Sequence, residues 1–139
     1  MPPKVIVDTN VVSYVMKGHT LAHAYAPHLQ GRLVAVTFVT VGELYYGAER
    51  ANWTDERRKK LETTLHNFIV IPFDGEICRR YGRLMAECDR RGRRVDFADA
   101  WIAACALRHD VPLVTHNSAH FNHIPDLVVV TENVEAVER

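Results

Sequence analysis

Apolar residues gather in two kinds of stretch. Short aliphatic runs occupy residues 5–7, 33–38, 68–72, 111–115 and 127–130. They are rich in valine and isoleucine and continuous rather than alternating, which predicts strands buried on both faces. Between them apolar positions recur at helical spacing. Residues 11–16 follow Asp8-Thr9-Asn10, three turn and N-cap residue types, so a strand–turn–helix is expected there. A second helix is expected over 21–29, with Pro27 as its breaking point. Thr40-Val41-Gly42-Glu43 has the form of a capping box and opens a helix through Leu44, Tyr45 and Ala48. Thr54 caps a helix over 54–67, whose outer face carries Arg57, Arg58, Lys59 and Lys60. Residues 74–91 form a long amphipathic helix with Ile77, Tyr81, Leu84, Met85 and Cys88 along one face, and Gly92 ends it. The last helix opens at Asp96 or Phe97 and runs to His109. Residues 132–139 read as an acidic surface tail. Strands that alternate with helices imply an α/β fold of three layers, with a central, mostly parallel sheet of about five strands between helices.

The chain has 139 residues, no internal repeat and no linker-like stretch, so one domain over 1–139 is expected. Hydrophobic residues make up 47% of it, which excludes intrinsic disorder. Seventeen basic side chains balance seventeen acidic ones, which argues against binding to nucleic acid by bulk charge and leaves local patches open. The apolar run ending at Asp8 is far shorter than the roughly 7–15 residues of a signal-peptide core. No run approaches the ~20 residues of a membrane span. Cys78, Cys88 and Cys105 form no C-x-x-C pair, so neither a disulfide framework nor a zinc knuckle is indicated. A soluble cytoplasmic protein without a membrane partner is expected.

In a parallel sheet ligands bind beyond the carboxyl ends of the strands. The polar residues that follow the strands here are largely acidic. Asp8 follows the first run, Glu43 lies five residues after Phe38, Asp96 and Asp99 precede the fourth, and Asn117 follows it. Each acid taken singly is explained by a local role: Asp8 and Asp96 as helix caps, Glu43 as the end of the capping box, Asp99 as an acid favoured in a first helical turn. Taken together they would converge at one sheet edge. Carboxylates so placed repel one another, and a divalent cation relieves that repulsion. Oxygen donors of this kind suit Mg²⁺ or Mn²⁺.

At these positions the chain resembles the PIN domains, and among them the small VapC-like ribonuclease toxins of prokaryotic toxin–antitoxin pairs. The resemblance rests on Val5-Ile6-Val7-Asp8-Thr9-Asn10-Val11-Val12, Thr40-Val41-Gly42-Glu43-Leu44-Tyr45-Tyr46-Gly47, Asp99-Ala100-Trp101-Ile102-Ala103-Ala104 and Leu113-Val114-Thr115-His116-Asn117 with Ser118-Ala119-His120-Phe121. These segments fall in the family's order and cover almost the whole chain. The resemblance implies a metal-dependent endoribonuclease that uses one or two Mg²⁺ or Mn²⁺ ions. Asp8, Glu43 and Asp99 match the family's metal-binding, catalytic acids. A fourth acid usually stands at the position of Asn117 or three residues later, where this chain has His120. Asp96 and Asn117 are candidates for an additional role at the metal, and Thr9, Asn10 and Thr115 for orienting the acids. The resemblance also implies a homodimer, and a groove near Tyr14, Tyr45, Tyr46 and Trp53 for a segment of a cognate antitoxin. Without the resemblance, those aromatics read as core.

Seven arginines against two acids between Arg79 and Arg94 give a local surplus of five positive charges. They read either as a solvated helix face or as a phosphate-tracking stripe, in which Arg93 and Arg94, next to the Asp96–Asp99 corner, are the candidates for substrate contact. His120 is a further candidate. A reading from another class is a PIN-like module that binds RNA or protein with a disabled site, Asn117 replacing the missing acid. A haloacid-dehalogenase-type phosphatase is disfavoured, because it needs an acid where Asn10 stands.

Overall fold

The computed structural model describes residues 2–132. The elements follow in the order β1 (Lys4–Val7), α1 (Thr9–Lys17), α2 (Thr20–Leu29), β2 (Leu33–Thr37), α3 (Phe38–Arg50), α4 (Asp55–Leu65), β3 (Ile69–Ile71), α5 (Gly75–Arg90), α6 (Phe97–His109), β4 (Leu113–Val114) and β5 (Val129–Val130). A single 3₁₀ turn, Ser118–His120, lies between the last two strands. The five strands form one sheet in the order β3-β2-β1-β4-β5, and every pairing is parallel. The expected three-layer α/β fold is the one observed.

Alternation along the strands divides the core in two. Ile6, Ala35 and Leu113 pair in register and face α5 and α6, where they meet Ile77, Leu84, Ile102, Ala103 and Phe121. Val5, Val7, Val36 and Val114 face the opposite way, against Val11, Val12, Tyr25, Leu44, Leu61 and Leu65 of α1 to α4. Burial on both sides explains the continuous apolar runs.

Several boundaries depart from the sequence reading. Helix α3 opens at Phe38, capped by Thr37, whose Oγ1 accepts from the Thr40 N–H at 3.2 Å. Thr40 is thus inside the first turn, the Thr40–Glu43 box is not a cap, and the Glu43 carboxylate is free for other work. Pro27 does not break α2, which continues to Leu29. Only two residues of helix remain beyond it, so few backbone bonds are at stake. β4 and β5 shrink to two residues each. Tyr45 and Tyr46 are exposed, not core, because Thr40, Leu44 and Ala48 form the inward stripe of α3. Gly92 ends α5 as expected, in a left-handed conformation with φ 65°. Of the expected acidic tail, residues 133–139 lie outside the described part. Among the described residues, no helix is long and apolar enough to cross a membrane.

The chain builds leftward from β1 through β2 to β3, then returns through α5 and α6 to place β4 on the other side of β1. Between β1 and β4 the strand order therefore reverses. Such a switch point opens a crevice beyond the strand ends.

Candidate metal centre

Asp8 leaves β1 at this crevice and Thr115 leaves β4 beside it. Asp8 Oδ1 accepts from the Thr9 N–H at 2.8 Å, and Oδ2 accepts from the Thr115 hydroxyl at 2.7 Å. The carboxylate is buried. Desolvation raises its pKa above the ordinary aspartate value, while the Thr115 and Thr9 bonds and nearby His120 pull it partly back. Thr115, fully buried, also accepts the Asn117 N–H at 3.1 Å.

The other acids arrive from helix starts. The Thr9 hydroxyl donates to Glu43 Oε1 at 2.6 Å and lies 3.0 Å from Thr40 Oγ1, so the start of α1 is tied to the first two turns of α3. Asp96 is the N-cap residue of α6, but its side chain makes no capping bond, which leaves its carboxylate uncommitted. Asp99 follows in the same turn, half-buried. Its pKa is raised by burial first, then by repulsion from Asp8 and, more weakly, from Asp96; His120 opposes the shift. His120 Nδ1 lies 3.0 Å from Asp99 Oδ2. Donor atoms of Asp96, Asp99 and His120 fall within 4.8 Å of one another, close enough to share one ion.

These groups surround a single cleft of about 360 Å³, lined by Asp8, Thr9, Asn10, Ser13, Glu43, Asp96, Ala98, Asp99, Asn117 and His120. The structure therefore gathers the acids expected from the sequence. Thr9 and Thr115 orient Glu43 and Asp8 as expected. Asn10 acts differently: its Oδ1 accepts from the His116 N–H at 3.4 Å and ties α1 to the exit of β4. Arg93 and Arg94 are exposed and do not line the cleft. Ser13 went unnoticed in the sequence, although it sits four residues after Thr9 and so on the same helical face. Also unforeseen is the support behind Asp8. The buried Tyr25 hydroxyl lies 2.6 Å from His116 Nδ1 and 3.4 Å from the Thr115 carbonyl, and accepts the Glu132 N–H at 3.2 Å. No sequence signal marks a tyrosine on α2 as a partner of residues some 90 positions later.

The donor set fits a hard divalent cation. It offers carboxylate oxygens with two amides, two hydroxyls and one imidazole, and two of its acids are held at raised proton affinity, which a cation would reverse. An α/β sheet with a carboxylate cleft at its switch point places such a donor set where this class of fold binds its ligands.

The PIN domain family model matches residues 5–127. Ribonuclease VapC5 of Mycobacterium tuberculosis is 33% identical over 118 residues, 84% of each chain. The solved structure of VapBC-1 from nontypeable Haemophilus influenzae superposes with a TM-score of 0.80 at 28% identity, covering 92% of this chain and 97% of that one. That of VapBC-5 from Mycobacterium tuberculosis, a member of the VapBC family of toxin–antitoxin systems, gives 0.70 at 28% identity, covering 94% of this chain and 100% of that one. The chain belongs to the PIN domain family and, within it, to the VapC ribonucleases.

Proposed function

We propose that this protein is a cytoplasmic, Mg²⁺- or Mn²⁺-dependent endoribonuclease toxin that hydrolyses RNA phosphodiester bonds and is silenced by a cognate antitoxin. The observation that carries this reading is the convergence of Asp8, Glu43, Asp96 and Asp99 on one cleft at the switch point of the sheet. Asp8, Glu43 and Asp99 would hold one or two cations, with Asp96, Asn117 and His120 at the margin. A bound cation supplies Lewis acidity toward the phosphoryl group and a water acidic enough to attack it.

The chain's own residues position and select. The Thr9 N–H and the Thr115 hydroxyl each occupy one oxygen of Asp8 and so fix the direction of its remaining lone pairs. The Thr9 hydroxyl does the same for Glu43. His120, bound to Asp99 through Nδ1, keeps Nε2 for a phosphate oxygen. Repulsion from Asp8 adds to burial in raising the proton affinity of Asp99, and a bound cation would relieve it. In-line attack gives a 5′-phosphate and a 3′-hydroxyl, with no side chain acting as nucleophile.

An antitoxin segment would sit away from the cleft. Val41, Tyr45, Leu65 and Val70 line a groove of about 240 Å³ between α3, α4 and β3, beside the exposed Tyr46. An amphipathic segment suits such a groove. A homodimer would bury the exposed Phe73 and Phe97, which flank Phe38, Tyr81 and Trp101 in one aromatic cluster.

Asp99→Asn should abolish Mg²⁺-dependent cutting of labelled RNA and leave the folded structure intact, and EDTA should stop the wild type. Cutting by Asp99→Asn at the wild-type rate refutes the assignment. One observation favours a binding module with a disabled site: Asn117 and His120 hold the places of the family's remaining acid. EDTA-sensitive RNA products from the wild type exclude it.

A further inference from the structure

The arginine-rich stretch forms a second concave surface. Arg80, Arg83, Arg90 and Arg91 wall an open groove of about 370 Å³ along α5, with Leu84, Leu107 and Pro125 between them. None of its lining residues belongs to the acidic cleft. Glu87 is its one acid, so the lining carries a surplus of three positive charges.

These guanidinium groups are under-neutralised. Arg79, Arg80 and Arg83 share the single carboxylate of Glu76, at 2.9, 3.8 and 3.2 Å. Glu76 lies just upstream of the seven-arginine window and was missed in the sequence reading of that stretch. Arg90 and Arg91 likewise share Glu87, at 2.8 and 2.9 Å. Five cations thus divide two acids. Arg83 and Arg90 are two-thirds exposed, and ion pairs that open to water are weakly held. A phosphate accepts the same bidentate fork and brings its own charge.

We propose that this groove is an RNA exosite, which holds the backbone of the substrate beyond the scissile bond. The inference rests on the ribonuclease reading above. Three observations favour RNA. From Arg80 to Arg90 the helix rises about 15 Å, which spreads the charges along a line rather than around a point. In sequence the arginines continue through the exposed Arg93 and Arg94, for which no ion pair is found among the described residues, to Asp96, which lines the acidic cleft. Among the described residues, the large exposed apolar side chains that would anchor a protein segment lie outside the groove.

The test compares wild type with Arg83→Ala/Arg90→Ala, both positions being exposed. Affinity for a long, unstructured labelled oligouridine is measured in EDTA across a salt series. Cleavage of a short RNA that fills only the cleft is measured with Mg²⁺. Each phosphate contact contributes about 0.7 to the salt slope for a single strand, so the double variant should lose about 1.4 of slope. At 0.1 M salt that corresponds to about 25-fold weaker binding of the long RNA. kcat/KM on the short RNA should stay at the wild-type value, and Arg83→Lys/Arg90→Lys should keep the slope. An unchanged slope overturns the exosite, as does an equal loss on long and short RNA. An unchanged slope with loss of poly-glutamate binding would assign the groove to an acidic protein segment instead. Failure of the wild type to cut any RNA with Mg²⁺ would overturn the ribonuclease reading, whereas wild-type cutting with unaltered variant binding overturns the exosite alone.

Discussion

Replacing Thr115 with valine tests how the site holds Asp8. The substitution keeps the shape of a fully buried side chain and removes one hydroxyl, which donates to Asp8 Oδ2 at 2.7 Å and accepts from the Asn117 N–H at 3.1 Å. A hydrogen bond to a charged acceptor contributes about 1.5–3 kcal/mol. The added methyl character returns up to about 0.8 kcal/mol of apolar burial. With about 0.5–1.5 kcal/mol for the lost Asn117 bond, a net loss of roughly 1–4 kcal/mol follows at neutral pH, which for a chain of this size lowers Tm by at least roughly 2–4 °C. The pH dependence carries the sharper prediction. Asp8 already binds its proton more tightly than an ordinary aspartate, because it is desolvated, and the Thr115 bond opposes that shift. Without the bond its pKa rises further. A raised acid favours the folded state below its unfolded pKa, and that advantage is lost as pH climbs through the folded value. The gap in Tm between wild type and Thr115→Val should therefore be widest at neutral pH and close in acid. The acid limb of Mg²⁺-dependent RNA cleavage should move to higher pH. Thr115→Ser keeps the donor, so it should lower Tm through its lost methyl while leaving the acid limb in place. Equal Tm values at neutral pH together with an unmoved acid limb in Thr115→Val would refute the reasoning.

Two further outcomes are expected. The Asp99→Asn protein should resist thermal unfolding better than wild type at neutral pH, since Asp99 is held above its ordinary pKa by burial and by Asp8; the advantage should fade as pH falls through that raised value, and lower stability at neutral pH would contradict the assigned repulsion. Phe121→Ala should cost about 3–5 kcal/mol in urea unfolding, because the ring is fully buried beside Ile124, immediately after the turn that carries His120.

The sheet was legible because both of its faces are covered: a run such as residues 5–7 has no polar alternate to confuse it, and its parallel partners read the same way. The cleft was legible because each acid sits just past an apolar run. Errors arose where two local readings used the same letters. Thr37 and Thr40 both precede helix-forming residues, and only the end of the β2 ladder at Thr37 decides which one caps. As aromatics on an early helix Tyr45 and Tyr46 read as core, although only the Leu44–Ala48 stripe faces it. The arginine window looked more cationic than it is, because Glu76 lies one turn before it. Tyr25 was invisible as a site support, since its contacts with Thr115 and His116 cross most of the chain.

The reversal of strand order between β1 and β4 also makes the cleft depend on residues that are synthesised late. Asp8 and Glu43 leave the ribosome early, but the hydroxyl that steadies Asp8 and the imidazole that holds Asp99 come from residues 115 and 120. Chains are made from the N-terminus, and a domain folds as a unit. Until β4 has emerged and docked against β1, the nascent polypeptide contains acids but no cleft.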